Sequence, residues 1–146
     1  MLKSIDEAII KFLRKIWQPL ARISLFIVFF YFGLLKVLGF SPATPLVEAL
    51  FQKTLNFFPF SYFIIFFGLF EMLIGLTFII PRLERLAIFL LIIHMITTFL
   101  PLILLPQITW RKFLVPTLEG QYIIKNLVII SLAFVIGAHL RNTDLN

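Results

Sequence analysis

Apolar positions in this chain collect into four long runs. They are PLARISLFIVFFYFGLLKVLGF over 19–40, PFSYFIIFFGLFEMLIGLTFII over 59–80, LAIFLLIIHMITTFLPLILL over 86–105 and QYIIKNLVIISLAFVIGAHL over 121–140. Each approaches the roughly 20 apolar residues that a bilayer crossing needs. The period-two alternation of barrel strands is missing. Without water the backbone must bond to itself, so these runs predict helices.

Residues 3–17 follow a different pattern. Ile5, Ile9, Phe12 and Ile16 recur at helical spacing, with Lys11, Arg14 and Lys15 at other positions. This predicts an amphipathic helix lying on a membrane surface, anchored by Trp17. The expected fold class is therefore all-α: an integral-membrane four-helix bundle with an N-terminal amphipathic interfacial helix, forming a single domain over 1–146. A short interfacial helix is expected to begin near Pro45. The stretch PQITWRKFLVPTLEG over 106–120 is too apolar for a free loop, and Trp110 and Phe113 should lie at the interface.

Composition narrows the function. Only 14% of the chain is charged, against about a quarter in soluble domains. With no cysteine, disulfides, thiolate metal sites, iron–sulfur clusters and thiol redox relays are excluded. The net charge of +6 reads as topology signal and attraction to anionic membrane lipids; no nucleic-acid motif accompanies it. The long polar leader and Pro42 argue for a retained first helix instead of a cleaved signal. Eight basic residues fall on one side (Lys3, Lys11, Arg14, Lys15, Arg22, Arg82, Arg85, Arg141) and three on the other (Lys53, Arg111, Lys112). The expectation is a multi-pass protein of the bacterial inner (plasma) membrane with both termini cytoplasmic.

Ionisable groups inside the runs are the candidates for chemistry. A charge at mid-bilayer costs roughly 2.5–3.5 kcal/mol on insertion scales, so such groups face the interior and find partners. With Arg22, Arg82, Arg85 and Arg141 marking one interface, the helical rise sets depths. Glu71 is 11 positions from Arg82, about 16 Å up. His94 is nine from Arg85, about 14 Å up. Lys36 and Lys125 stand higher, at about 21 and 24 Å. Helical stripes run through Arg22, Phe26, Phe29, Gly33 and Lys36, and through Lys125, Ile129, Leu132, Ile136 and His139. Gly68, Glu71 and Gly75 share a face where small residues admit a neighbouring helix. His94 clusters with Thr97 and Thr98.

All four faces turned inward would form a polar column. Glu71, His94, Lys36 and Lys125 are its ligand-binding or proton-exchanging candidates; Arg22, Thr97 and Thr98 are structural polar groups. The competing readings are a buried pair that fixes helix register, lysines that snorkel to outer headgroups, and an internally satisfied histidine. Haem held by His94 and His139 is disfavoured, because His139 lies roughly 10 Å lower. No cluster has metal-ligand spacing, and no catalytic residue can be named.

RISLFIVFFYFGLLKVLGF, with Arg22, Gly33 and Lys36, resembles the first span of DoxX-like membrane proteins, and FEMLIGL resembles their second. GLLKVLGFSPATPLVEAL and PTLEGQYIIKNLVII resemble the YkgB/RclC branch of that superfamily. Asn126 stands where the branch has an acid, and Tyr31 or Phe32 where it has tryptophan. The resemblance implies a bacterial inner-membrane four-helix protein linked to quinone-dependent respiratory systems or to oxidant tolerance, without an established catalytic mechanism. The expected function is an accessory or oxidant-stress-related protein, not an enzyme on its own, binding a quinone-like or lipid molecule at an interior site open to the outer leaflet. The alternatives are a structural subunit of a larger membrane complex or homo-oligomer, and a proton-coupled carrier.

Overall fold

The computed structural model describes residues 2–140. Its elements are α1 (Leu2–Phe26), a π-helical turn (Ile27–Tyr31), α2 (Phe32–Val37), α3 (Thr44–Thr54), α4 (Phe60–Ile79), α5 (Glu84–Phe99), α6 (Pro101–Leu104), α7 (Pro106–Thr109), β1 (Trp110–Lys112), β2 (Val115–Pro116) and α8 (Leu118–Ala138). Four helical stretches among them are long and apolar enough to cross a membrane: Lys3–Val37, Phe60–Ile79, Glu84–Leu104 and Leu118–Ala138. They pack as a helical bundle. α4 lies against the first stretch and α5; α8 closes on α5 and touches α1.

The first stretch differs from the sequence expectation of a surface helix followed by a separate span. One helix runs on through Pro19. The proline forgoes only its own bond to the carbonyl four residues back, and the turns on either side continue. Residues 3–15 are exposed and extend beyond the packed core. Trp17, by contrast, packs against the core and places its ring 4.7 Å from that of His139.

The π turn changes which face is buried. Buried positions on this stretch are Ala21, Leu25, Phe29, Gly33 and Lys36. They advance by fours through the wider turn, then by three. Arg22 and Phe26, which a constant helical period puts on the inward stripe, are only partly buried. Phe29, Gly33 and Lys36 do face inward.

Glycines set how close the helices come. A Cβ on Gly33 would stand 2.5 Å from the Gly68 carbonyl oxygen, and one on Gly68 would stand 2.7 Å from the Gly33 oxygen. At Gly75 a Cβ would meet the Phe30 nitrogen at 2.8 Å. The two backbones therefore touch along this seam, which only residues without a side chain permit. Elsewhere the core is filled by Leu25, Ile74, Phe78, Leu91 and Ile136, each at most 1% exposed.

α5 stops at Phe99 and α6 begins at Pro101, with Leu100 between them in helical backbone at φ −52° and ψ −39°. The break in the ladder comes from Pro101, which has no N–H to donate. The segment expected to be an apolar connection contains a small antiparallel hairpin, which an all-α expectation lacks. Leu114 sits at its tip with φ 57°. The base is fixed by Trp110, whose Nε1 donates to the Leu102 carbonyl at 2.9 Å, and by Thr117, whose N–H donates to the Thr109 carbonyl at 2.9 Å.

Candidate functional site

Three helices each contribute one buried ionisable side chain at a single level. Lys36 comes from α2, Glu71 from the middle of α4 and His94 from α5; they are 6%, 6% and 5% exposed. The glycine seam brings Lys36 to Glu71, because Gly33 and Gly68 each lie three residues before one of them on the touching faces. The Lys36 Nζ donates to Glu71 Oε2 at 2.6 Å. The other carboxylate oxygen, Oε1, lies 3.4 Å from His94 Nε2. Glu71 thus stands between a lysine and a histidine with one oxygen toward each.

Aromatic rings enclose this cluster. The Lys36 Nζ lies 5.7 Å from the centroid of Phe67. Around His94 are Phe29, edge-on at 5.5 Å, Phe67 at 5.2 Å and Phe70 at 6.2 Å. Surroundings this apolar strengthen the ion pair and raise the cost of any polar atom left without a partner. His94 Nδ1 is such an atom: buried, with no hydrogen-bond partner among the described residues. Thr97 and Thr98 do not serve it. Their hydroxyls donate to the backbone carbonyl of His94 at 2.7 and 3.0 Å.

Lys125 does not join the column. It is exposed, with its Nζ 5.1 Å from the Tyr122 ring centroid. The inward face of α8 is set by Gly120, Ile123, Ala133 and Ile136. Gly120 lies against the Thr109 carbonyl, and a Cβ on Gly137 would come within 2.9 Å of Ile88. That packing turns Lys125 away from the interior. Arg141 lies outside the described residues. His139 is exposed and holds the Val135 carbonyl within 2.8 Å of its Nδ1. Among the described residues, no group of three or more His, Cys, Asp or Glu is arranged to hold a metal.

A second polar cluster lies where the Pro81 turn joins α4 to α5. The Arg22 Nε donates to the Phe78 carbonyl at 2.7 Å, Nη2 to the Ile79 carbonyl at 3.1 Å, and Nη1 meets Glu84 Oε1 at 2.8 Å. Arg22 therefore occupies carbonyls that the end of α4 leaves free. The sequence reading placed Arg22 as structural and missed Glu84, although an acid between Arg82 and Arg85 marks the place. It also missed a groove of about 470 Å³ along the seam of α5 and α8, lined by Ile92, Met95, Phe99, Ile130 and Phe134 among others, all apolar.

Comparison with protein-family models, with curated proteins and with solved structures finds no match to this chain.

Proposed function

We propose that this chain is a multi-pass protein of the bacterial inner membrane, DoxX-like in type, that binds a quinone-like or lipid molecule at Lys36, Glu71 and His94. It acts as an accessory or oxidant-stress-related protein. Both termini face the cytoplasm, following the excess of basic residues on that side. The observation that carries the binding reading is the open Nδ1 of His94 beside the Lys36–Glu71 pair. Interior polar atoms are nearly always satisfied, and an exception calls for an explanation such as an absent ligand.

One observation favours a rival reading. The Lys36–Glu71 pair sits directly on the glycine seam, as a lock that fixes helix register would. Equilibrium binding of a short-chain quinone and of inner-membrane lipids to the detergent-solubilised protein separates the two. The site reading expects wild type to bind one of these and Lys36→Ala/Glu71→Gln to lose at least about tenfold in affinity, the scale of one or two lost polar contacts. Equal binding by both proteins removes the site.

A further inference from the structure

We infer that a second copy of this chain packs along the exposed face of α1, making a parallel two-fold dimer through one apolar stripe that runs from the exposed extension into the bundle. The dimer is independent of the ligand site and depends only on the membrane reading proposed above. Ile5, Ile9, Phe12 and Ile16 mark the stripe on the extension. Leu20, Ile23, Ile27 and Tyr31 carry it onward, still at steps of three and four. The repeat is 11 residues: Ile5, Ile16 and Ile27 are 11 apart, as are Ile9, Leu20 and Tyr31, and so are Phe12 and Ile23. One α-helix holds this phase through Pro19 as far as Phe26, where the π turn takes over. Apart from half-buried Ile16, the stripe residues are 47% to 59% exposed. The buried positions Ala21, Leu25 and Phe29 lie on the other side of the helix.

The extension is the part that requires a partner. Trp17 meets His139 at the end of α8 and marks the base of the bundle. From there to Lys3 the helix runs on for about 21 Å. A stretch that continues the line of a span leaves the bilayer, so its apolar stripe stands in water, which the hydrophobic effect opposes. The membrane surface would cover it only if the helix turned off that line, and the phase of its stripe would then be free of the span's. Instead both parts share one stripe, and a second helix of the same phase covers both. Two copies inserted with the same orientation meet in parallel about a two-fold axis, each stripe against itself. An 11-residue repeat, about 3.67 residues per turn, keeps such helices in contact with slight right-handed winding. Lys3, Lys11, Arg14 and Lys15 lie more than about 100° round the helix from the stripe, so like charges do not meet across it. With about 200 Å² for a large side chain, the seven half-exposed stripe residues offer on the order of 700 Å² per copy, near the ~800 Å² that each partner gives to a stable interface.

The chain has no cysteine, so single cysteines report on the contact without background. In membranes holding the full chain, mild oxidation of Ile9→Cys and of Ile23→Cys is expected to give at least about tenfold more disulfide-linked dimer than Lys11→Cys on the opposite face, because linkage needs Cβ atoms about 4 Å apart. Adding Ile9→Glu to Ile23→Cys should lower its yield at least about tenfold, since a carboxylate in the seam would be buried without a partner. The stripe positions are exposed in the single copy, so cysteine there leaves its packing intact; should Ile23→Cys fail to assemble, Ile27→Cys replaces it. Equal yields on the two faces, no linked dimer, or linkage at Ile9→Cys without linkage in the span overturns the inference. Absent linkage together with quenching of a fluorophore on Ile9→Cys by brominated lipid tails overturns it in favour of the membrane surface.

Discussion

At the Pro81 turn, Arg22 meets Glu84 and two carbonyls of α4; at mid-bundle, Lys36 meets Glu71, which in turn faces His94. Both clusters tie the first helical stretch to α4 and α5, yet they are finished differently. Each guanidinium nitrogen of Arg22 has a partner, and the pair keeps some access to solvent, with side chains 15% and 10% exposed. The Lys36–Glu71 pair is more enclosed, at 6% and 8%, and it ends on a histidine whose outer nitrogen has no partner among the described residues. A cluster that only fixes helix geometry has no reason to retain an unmet polar atom, since an apolar ring of the same shape would pack there without the desolvation penalty. The contrast separates the two clusters: each guanidinium nitrogen of Arg22 is partnered, as a clamp requires, whereas the Glu71 cluster leaves one atom open, which is the observation the binding proposal rests on.

Substitutions can break or sharpen this contrast. The largest effect is expected from Lys36→Met, which strands the Glu71 charge and should cost about 3–5 kcal/mol. Adding Glu71→Met should restore stability to near wild type, because buried pairs replaced by apolar residues are often neutral. Thermal unfolding in detergent reads both; a mild single variant would show that Glu71 is not held by Lys36. Gly68→Ala comes next, at about 1–3 kcal/mol, from forcing a methyl against the Gly33 carbonyl. Arg22→Ala should cost less, about 1–2 kcal/mol, because the freed carbonyls at the partly exposed end of α4 can bond water. Smallest is His94→Phe, expected to leave stability within about 0.5 kcal/mol of wild type, because it removes an unsatisfied atom along with a long contact. A large loss there would place His94 in the clamp and erase the distinction.

Much of this arrangement was legible in the chain. A constant rise per residue puts Glu71 and His94 at one level, and the Gly68–Glu71–Gly75 face marks where a helix can approach. Lys125 was misplaced because α8 is apolar nearly all round. Its inward face is chosen by Gly120, Ala133 and Gly137, whose small size matters only once neighbouring helices are in position. The stripe through Arg22 and Phe26 fails for another reason. A π turn adds a residue to the local period without a distinctive sequence. The hairpin was hidden because its turn places a leucine, Leu114, in backbone that favours glycine. That His94 Nδ1 is left without a partner among the described residues is visible only in three-dimensional contacts.

The chain holds two histidines, so the nitrogen resonances of the imidazoles report on His94 with His139 as an internal reference. In ¹⁵N-histidine-labelled protein, the His94 imidazole resonances are expected to move when a short-chain quinone or an inner-membrane lipid binds, while those of His139 stay in place. His94 resonances that stay unmoved while a ligand is bound would contradict the claim that the ligand binds at the Lys36–Glu71–His94 cluster.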